Sequence, residues 1–203
     1  DYLERARQIL ADVEEAAAMA GADTRVPSGT VRMLMPPAVS VHQIAKHLPE
    51  FHARFPQVTL EIDAFGPVET GSEAHDITIV WSRQPLAGEF IARRLARTES
   101  IVVAAPEYLD RRDRPQHPLE LAGHDALLPP ISEIQRGLTF YRGVWGDDEP
   151  GGEAVTVMPG HSVLSTGHVD TNYAAALAGL GIAGLPSYVA EDALMEHALE
   201  RVL

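Results

Sequence analysis

From Thr30 onward the sequence alternates short apolar runs of strand period with stripes of helical period, and proline or glycine marks the joints. That alternation permits few architectures, because β-α-β units bury a parallel sheet beneath covering helices. Thr30–Met35 is predicted as a strand closed by Pro36 and Pro37. Ser40 is predicted to cap a helix with apolar positions Val41, Ile44, Ala45, Leu48, Phe51 and Phe55, kinked at Pro49 and ending before Pro56. Val58, Leu60, Ile62 and Ala64 alternate with Thr59, Glu61, Asp63 and Phe65, which predicts a second strand. Asp76–Trp81 is predicted as a third. Ile101–Ala105 is apolar throughout, as in a strand covered on both faces. Asp170–Ala178 then reads as a helix, Gly181–Leu185 as a strand and Pro186–His197 as a last helix. The expected fold class is α/β.

The segment before this alternation has another period. Leu3, Ala6, Leu10, Val13, Ala17 and Ala20 recur at spacings of 3-4-3-4-3, a heptad seam suited to pairing along a narrow stripe. We read residues 1–20 as a dimerising helix and 21–29, rich in glycine and closed by Pro27-Ser28-Gly29, as a linker. The sequence opens at Asp1 rather than at methionine and is read as part of something longer; no basic-then-apolar leader is visible.

Charge and composition narrow the function. Sixteen basic against 29 acidic groups leave a net charge of −13, a poor basis for gripping a phosphate backbone. With no cysteine, a disulfide scaffold, a thiol nucleophile and a thiolate metal site are excluded. The stretch 171–190 has no charge, but Asn172, Pro186 and glycines at 179, 181 and 184 divide it into helix, turn and strand, so no membrane span is expected.

Three motifs suggest chemistry, and each fails on its setting. Gly179-Leu180-Gly181-Ile182-Ala183-Gly184 matches a dinucleotide fingerprint, which needs a strand before it and a helix after it; here the order is reversed. Gly160-His161-Ser162-Val163-Leu164 begins like a nucleophile elbow, but Leu164 replaces the second glycine that the turn requires. His42, His47 and His52 lie about 140° apart around a helix, so no two share a face as zinc ligands at i, i+4 would. The nine histidines are therefore read as scattered surface residues, with no metal, no cofactor and no catalytic residue.

What remains is binding. Parallel α/β sheets take ligands beyond the carboxyl ends of their strands, where helix starts favour an anion such as a carboxylate. The strand-to-helix junctions here are Pro36–Ser40, Val80–Arg83, Pro129–Ser132 and Thr166–Asp170.

Several segments, taken in order, resemble one family. They are Ser28–Met33, Leu48–Ile62, Asp76–Ile79, Ala92–Leu95, Val103–Leu109, His117–His124, Ala178–Pro186 and the closing Leu199–Leu203. Over nearly all its length the chain resembles the effector-binding region of LysR-type transcriptional regulators. The resemblance implies two Rossmann-like subdomains of the type 2 periplasmic-binding-protein fold, preceded by a linker helix. Subdomain I would be 30–97 plus 185–203, and subdomain II 98–184. It implies a small-molecule effector in the cleft between them, contacted by Pro37, Ser40, Trp81, Ser82, Ile131, Ser132, Thr166 and His168. It also implies a cytoplasmic homodimer, tetrameric at full length, that meets DNA only through a winged helix-turn-helix absent from this chain. Val80-Trp81-Ser82 stands where the family often has arginine, which suggests a partly aromatic effector. The reading is thus of a sensor and not an enzyme. Its alternative is a free-standing solute-binding protein of the same fold, which would lack the heptad seam.

Overall fold

A computed structural model describes residues 26–66, 68–82, 90–129, 137–142, 153–158 and 160–203, together with Arg5. The heptad seam and most of the linker lie outside the described residues, as do Ile131 and Ser132.

Strands β1 (Ser28–Met35), β2 (Gln57–Ala64) and β3 (Ile77–Thr78) form a three-stranded parallel sheet in the order β2-β1-β3. The β1–β2 ladder is in register from Ser28 opposite Gln57 to Met35 opposite Ala64. The third strand is much shorter than its apolar run suggests. Its pairing is extended by single hydrogen bonds, from Asp76 N–H to the Arg32 carbonyl and from Ile79 N–H to the Leu34 carbonyl.

Between β1 and β2 the chain is helical, but Ser40 does not cap it. The helix starts at Pro37, whose missing N–H costs nothing in a first turn, and Pro36 holds the capping position in extended conformation. Ser40 N–H already donates to the Pro36 carbonyl. After α1 (Pro37–Val39) the backbone widens into a π turn over Ser40–Ile44 and tightens into a 3-10 turn over Ala45–His47. It then restarts as α2 (Leu48–Arg54), with Pro49 in the first turn. The expected kink at Pro49 takes the form of this restart, because proline has no N–H to continue the preceding turn.

The larger sheet has five strands in the order β10-β4-β9-β5-β8. They are β4 (Ser100–Ala104), β5 (Asp125–Leu128), β8 (His161–Ser165), β9 (Ile182–Pro186) and β10 (Glu200–Arg201). Here the all-parallel expectation is corrected. β5 runs parallel to β8 and β9, but β4 is antiparallel to both β9 and β10. The incoming strand β4 lies beside the outgoing strand β9, so the two must run in opposite directions. Helix α3 (Pro106–Arg112), a 3-10 turn (Pro118–Gly123) and an antiparallel ribbon of β6 (Leu138–Arg142) and β7 (Glu153–Val157) flank this sheet. Helices α4 (Val169–Leu177) and α5 (Ser187–Met195) follow β8 and β9.

Two apolar clusters fill the space around the larger sheet. One joins Ile101, Val103, Leu127, Leu185, Val189 and Leu199, and Ala38 of α1 belongs to it. The other places Tyr108 and Leu109 of α3 against Val157 and Ile182. Of the residues expected in subdomain I, 185–203 contribute strands to the larger sheet, while α5 touches both α1 and the β4–β9 pair.

The glycine motif and the serine motif are structural. Gly179 adopts a positive φ of 70° just beyond α4, and Gly179 N–H and Leu180 N–H close back on the Ala176 and Ala175 carbonyls. A Cβ at Gly181 would stand 2.5 Å from the Asp125 carbonyl oxygen. Ser162 sits within β8, in regular strand rather than on an elbow, and its hydroxyl donates to the Leu164 carbonyl.

Candidate functional site

All three strands of the small sheet point their carboxyl ends the same way, as do β5, β8 and β9 in the larger one. Pro37 and Ser40 follow β1, Trp81 and Ser82 follow β3, and Thr166 and His168 follow β8. At the small sheet, a Cβ on Gly66 would lie 3.7 Å from the Pro37 ring, and Trp81 N–H donates to the Val68 carbonyl at 3.3 Å. The ends of β1, β2 and β3 are thereby gathered at one edge. Pro37 and Ser40 are half-buried there, while Trp81 and Ser82 are exposed.

At the larger sheet, Thr166 N–H extends the β8–β5 pairing to the Leu128 carbonyl. The Thr166 hydroxyl accepts His168 N–H at 3.1 Å, and His168 Nδ1 lies 3.0 Å from the Thr171 hydroxyl. These contacts fix the loop that starts α4. Asn172, buried in the first turn, donates from Nδ2 to the Thr166 carbonyl at 3.3 Å.

The two edges are tied together by residues outside the predicted set of effector contacts. His42, in the π turn, places Nε2 2.8 Å from Oδ1 of Asp170 in the first turn of α4. Its ring meets the Tyr173 ring edge-on at 4.9 Å. The His42 side chain is only 12% exposed and that of Asp170 24%, so the bond is shielded from bulk water. His168 Nε2 stands 4.0 Å from the other carboxylate oxygen of Asp170. One residue beyond His42, Gln43 donates to the Tyr188 carbonyl of α5 at 2.8 Å, and Lys46 pairs with Asp192 at 3.3 Å. Burial, reinforced by the Asp170 charge, raises the Tyr188 phenol above its ordinary 10.0, so it remains a neutral hydroxyl. A π turn is rare in a helix and frequent at functional sites; here it carries Ser40 and His42 together.

The reading of the histidines as scattered surface residues is thereby corrected. His42, His75 and His124 are each at least partly buried and hydrogen-bonded, because an imidazole taken out of water must keep a partner. His124 receives the Tyr108 hydroxyl at 3.2 Å. Burial, with the Arg112 charge behind it, lowers its pKa below the ordinary 6.5. His75 links the Ser72 hydroxyl at 2.8 Å to Asp63 at 2.9 Å, an order that matches a hydrolytic relay. That hydroxyl accepts Ala74 N–H in a local turn and does not line the adjoining groove of about 440 Å³, whose walls are Arg32, Glu61, Asp63 and His75. A second hollow, about 40 Å³ between the larger sheet and the β6–β7 ribbon, is too small for an organic ligand. Among the described residues, no group of three histidine or carboxylate side chains could hold a metal ion, and no helix is long and apolar enough to cross a membrane.

Residues 24–203 match the family model for the LysR substrate binding domain. Over its whole length the chain is 30% identical to the uncharacterized HTH-type transcriptional regulator YhjC of Escherichia coli and covers 65% of that protein. It is 26% identical to the HTH-type transcriptional regulator CrgA of Neisseria meningitidis, over 98% of the chain and 63% of that protein. The chain thus spans less than two thirds of these relatives' length. Among solved structures, the regulatory domain of AphB from Vibrio vulnificus superposes with a TM-score of 0.69 at 20% identity, covering 87% of this chain and 84% of that one. CrgA from Neisseria meningitidis gives 0.67 at 22% identity, over all of this chain and 65% of that one.

Proposed function

Because the chain belongs to the LysR substrate-binding domain family, we propose that it is the ligand-sensing and oligomerisation module of a LysR-type transcriptional regulator. Its α/β fold is the type 2 periplasmic-binding-protein fold, the fold of its structural neighbours. In this reading residues 30–97 are the body of subdomain I and 98–184 that of subdomain II. The 185–203 segment returns to subdomain I through α5, which touches both. DNA is met elsewhere in the full-length protein, through a winged helix-turn-helix, in the cytoplasm. Residues 1–20 are the pairing helix of a homodimer that becomes a tetramer at full length.

The effector lies between Pro37, Ser40, Trp81 and Ser82 on one side and Ile131, Ser132, Thr166 and His168 on the other. One observation carries this reading. The His42–Asp170 bond of 2.8 Å brings the helix after β1 against the start of α4. Ser40 and His168 each stand two residues from that bond. The effector is a small organic acid whose carboxylate meets the start of α4, where free N–H groups and imidazoles favour an anion. Trp81, 55% exposed, offers a flat apolar wall for the rest of it. A ligand that touches both edges favours their closed arrangement only by the amount that it binds that state better.

Calorimetry tests the site. With any ligand that raises the melting temperature, Ser40→Ala is expected to cost about 0.5–1.5 kcal/mol of binding, the worth of one neutral hydrogen bond. Trp81→Ala and His168→Ala are expected to weaken binding as well. Wild-type affinity in all three variants would move the site elsewhere.

A further inference from the structure

Between β2 and β3 the chain crosses over in residues 65–76 without forming a helix among its described residues. Such a crossover is ordinarily helical and covers one face of its sheet. Here the face stays open where Arg32 of β1 stands opposite Glu61 of β2, with Asp63 two residues further along the same side. These three side chains, with Ile62, Ala74 and His75, line the groove of about 440 Å³. That is the size of a small-molecule site. One wall is fixed, because both ring nitrogens of His75 are engaged, by the Ser72 hydroxyl and by Asp63.

The charged groups of the groove hold one another without being used up. Arg32 Nε donates to Glu61 at 3.1 Å, and neither of its Nη groups bonds to a described residue. Asp63 meets His75 through Oδ2 at 2.9 Å, and its Oδ1 has no partner among the described residues. Both side chains are open to solvent, Arg32 at 57% and Asp63 at 66% exposure. A simple anion on Arg32 would face the carboxylates of Glu61 and Asp63, and a simple cation on Asp63 would face the guanidinium. A metal ion is served no better, since no group of three histidine or carboxylate side chains that could hold one occurs among the described residues. A ligand that carries both signs of charge satisfies both sides.

We infer that this groove is a second small-molecule site, separate from the cleft proposed above, and that it takes a zwitterion of amino-acid size. The ligand's carboxylate accepts from the Arg32 Nη groups, and its ammonium donates to Asp63 Oδ1. A guanidinium presents paired N–H donors that match a carboxylate, and an ionised carboxylate only accepts. The groove lies on the face of the small sheet, whereas Pro37, Ser40, Trp81 and Ser82 follow the ends of its strands.

Exposed charge pairs are individually weak, so binding is read from backbone amide shifts in NMR spectra of the whole chain rather than from melting. The probes are glycine, β-alanine, 4-aminobutyrate and glycylglycine, with butyrate and butylamine as controls of one charge. At least one zwitterion is expected to shift the amides of 32, 61–63 and 74–75 saturably, and more tightly than either control. Arg32→Gln and Asp63→Asn are each expected to weaken that binding by about threefold or more. Added salt is expected to weaken it too, and Ser40→Ala to leave it unchanged. If Arg32→Gln fails to fold, Arg32→Lys, which keeps the charge but not the paired donors, is read for the same loss. The inference is overturned if no zwitterion gives a saturable shift at these residues, or if a control binds as tightly. Undiminished binding in either variant overturns it as well. So do shifts centred on 36–43 and 165–172, which would put the probe in the proposed cleft instead.

Discussion

Along β2 the side chains alternate between half-buried Val58, Leu60 and Ile62 and exposed Thr59, Glu61 and Asp63, whereas β5 buries Ala126, Leu127 and Leu128 in succession. The small sheet leaves Phe65, Ile77 and Trp81 exposed around its edge. The larger sheet is covered on both faces and contains two apolar clusters. Ala38, 6% exposed, belongs to a cluster of the larger sheet although α1 follows β1 of the smaller. Burial of apolar surface is the main source of stability, so the larger sheet holds most of it. Among the described residues, Ala38, His42, Gln43 and Lys46 join the segment after β1 to the larger sheet and its helices. Such an arrangement suits a sensor. Among the described residues, one half has the two apolar clusters and the other meets it through the helical segment after β1.

The largest expected effect lies in the larger sheet. Leu185→Ala empties a site of 0% exposure and is expected to cost about 2–5 kcal/mol in urea unfolding. Leu60→Ala, on the half-buried face of β2, is expected to cost under about 2 kcal/mol. Equal losses would break the contrast between the sheets.

Next comes the bond between them. His42→Ala deprives the Asp170 carboxylate of its 2.8 Å partner, leaving the His168 ring 4.0 Å away, and removes the ring packed on Tyr173. About 1–3 kcal/mol should be lost, as for a partly buried polar group deprived of its partner. Faster amide exchange is expected in 37–47 than in β5 or β9, and uniform acceleration across both sheets would contradict the separate attachment of the small one.

A third expectation concerns pH. Burial lowers the His124 pKa from its ordinary 6.5, so between the two values the folded protein binds fewer protons than the unfolded chain. Stability from this group is therefore fully present above pH 6.5 and is lost as pH falls through the lowered value. Urea midpoints at pH 7.5 and 5.5 should differ more in wild type than in His124→Gln. The smallest effect is at Lys46, whose pairing with Asp192 is exposed on both sides. Lys46→Ala should shift stability by less than about 0.5 kcal/mol, and any shift should shrink with salt.

How much of this could be read in the sequence depended on the range of the interaction. β1, β2, α4, β9 and α5 fall within two residues of their predicted bounds at most ends, because period and punctuation are local signals. The start of α1 differs from the serine-capped start that local pattern suggests, because Pro37 is well suited to the first turn. The ribbon of β6 and β7 was missed: Leu138, Phe140, Val155 and Val157 alternate, but in two short runs separated by a stretch rich in glycine and acid. His42 had no local signal at all, since Asp170 is 128 residues away in the chain. Pro37, Ser40, Trp81, Ser82, Thr166 and His168 do stand at carboxyl ends of strands, as an α/β sheet predicts. Asn172 Oδ1, buried without a hydrogen-bond partner among the described residues, depends on what the fold places around it, and sequence pattern does not encode that.

Hydrogen exchange read by mass spectrometry, with and without a ligand found by thermal shift, tests most directly whether an effector joins the two sheets. The account predicts that protection rises together in 36–43, after β1, and in 165–172, at the start of α4, with little change in β2 or β6. Protection confined to one of those segments, or centred on the β6–β7 ribbon, would contradict it.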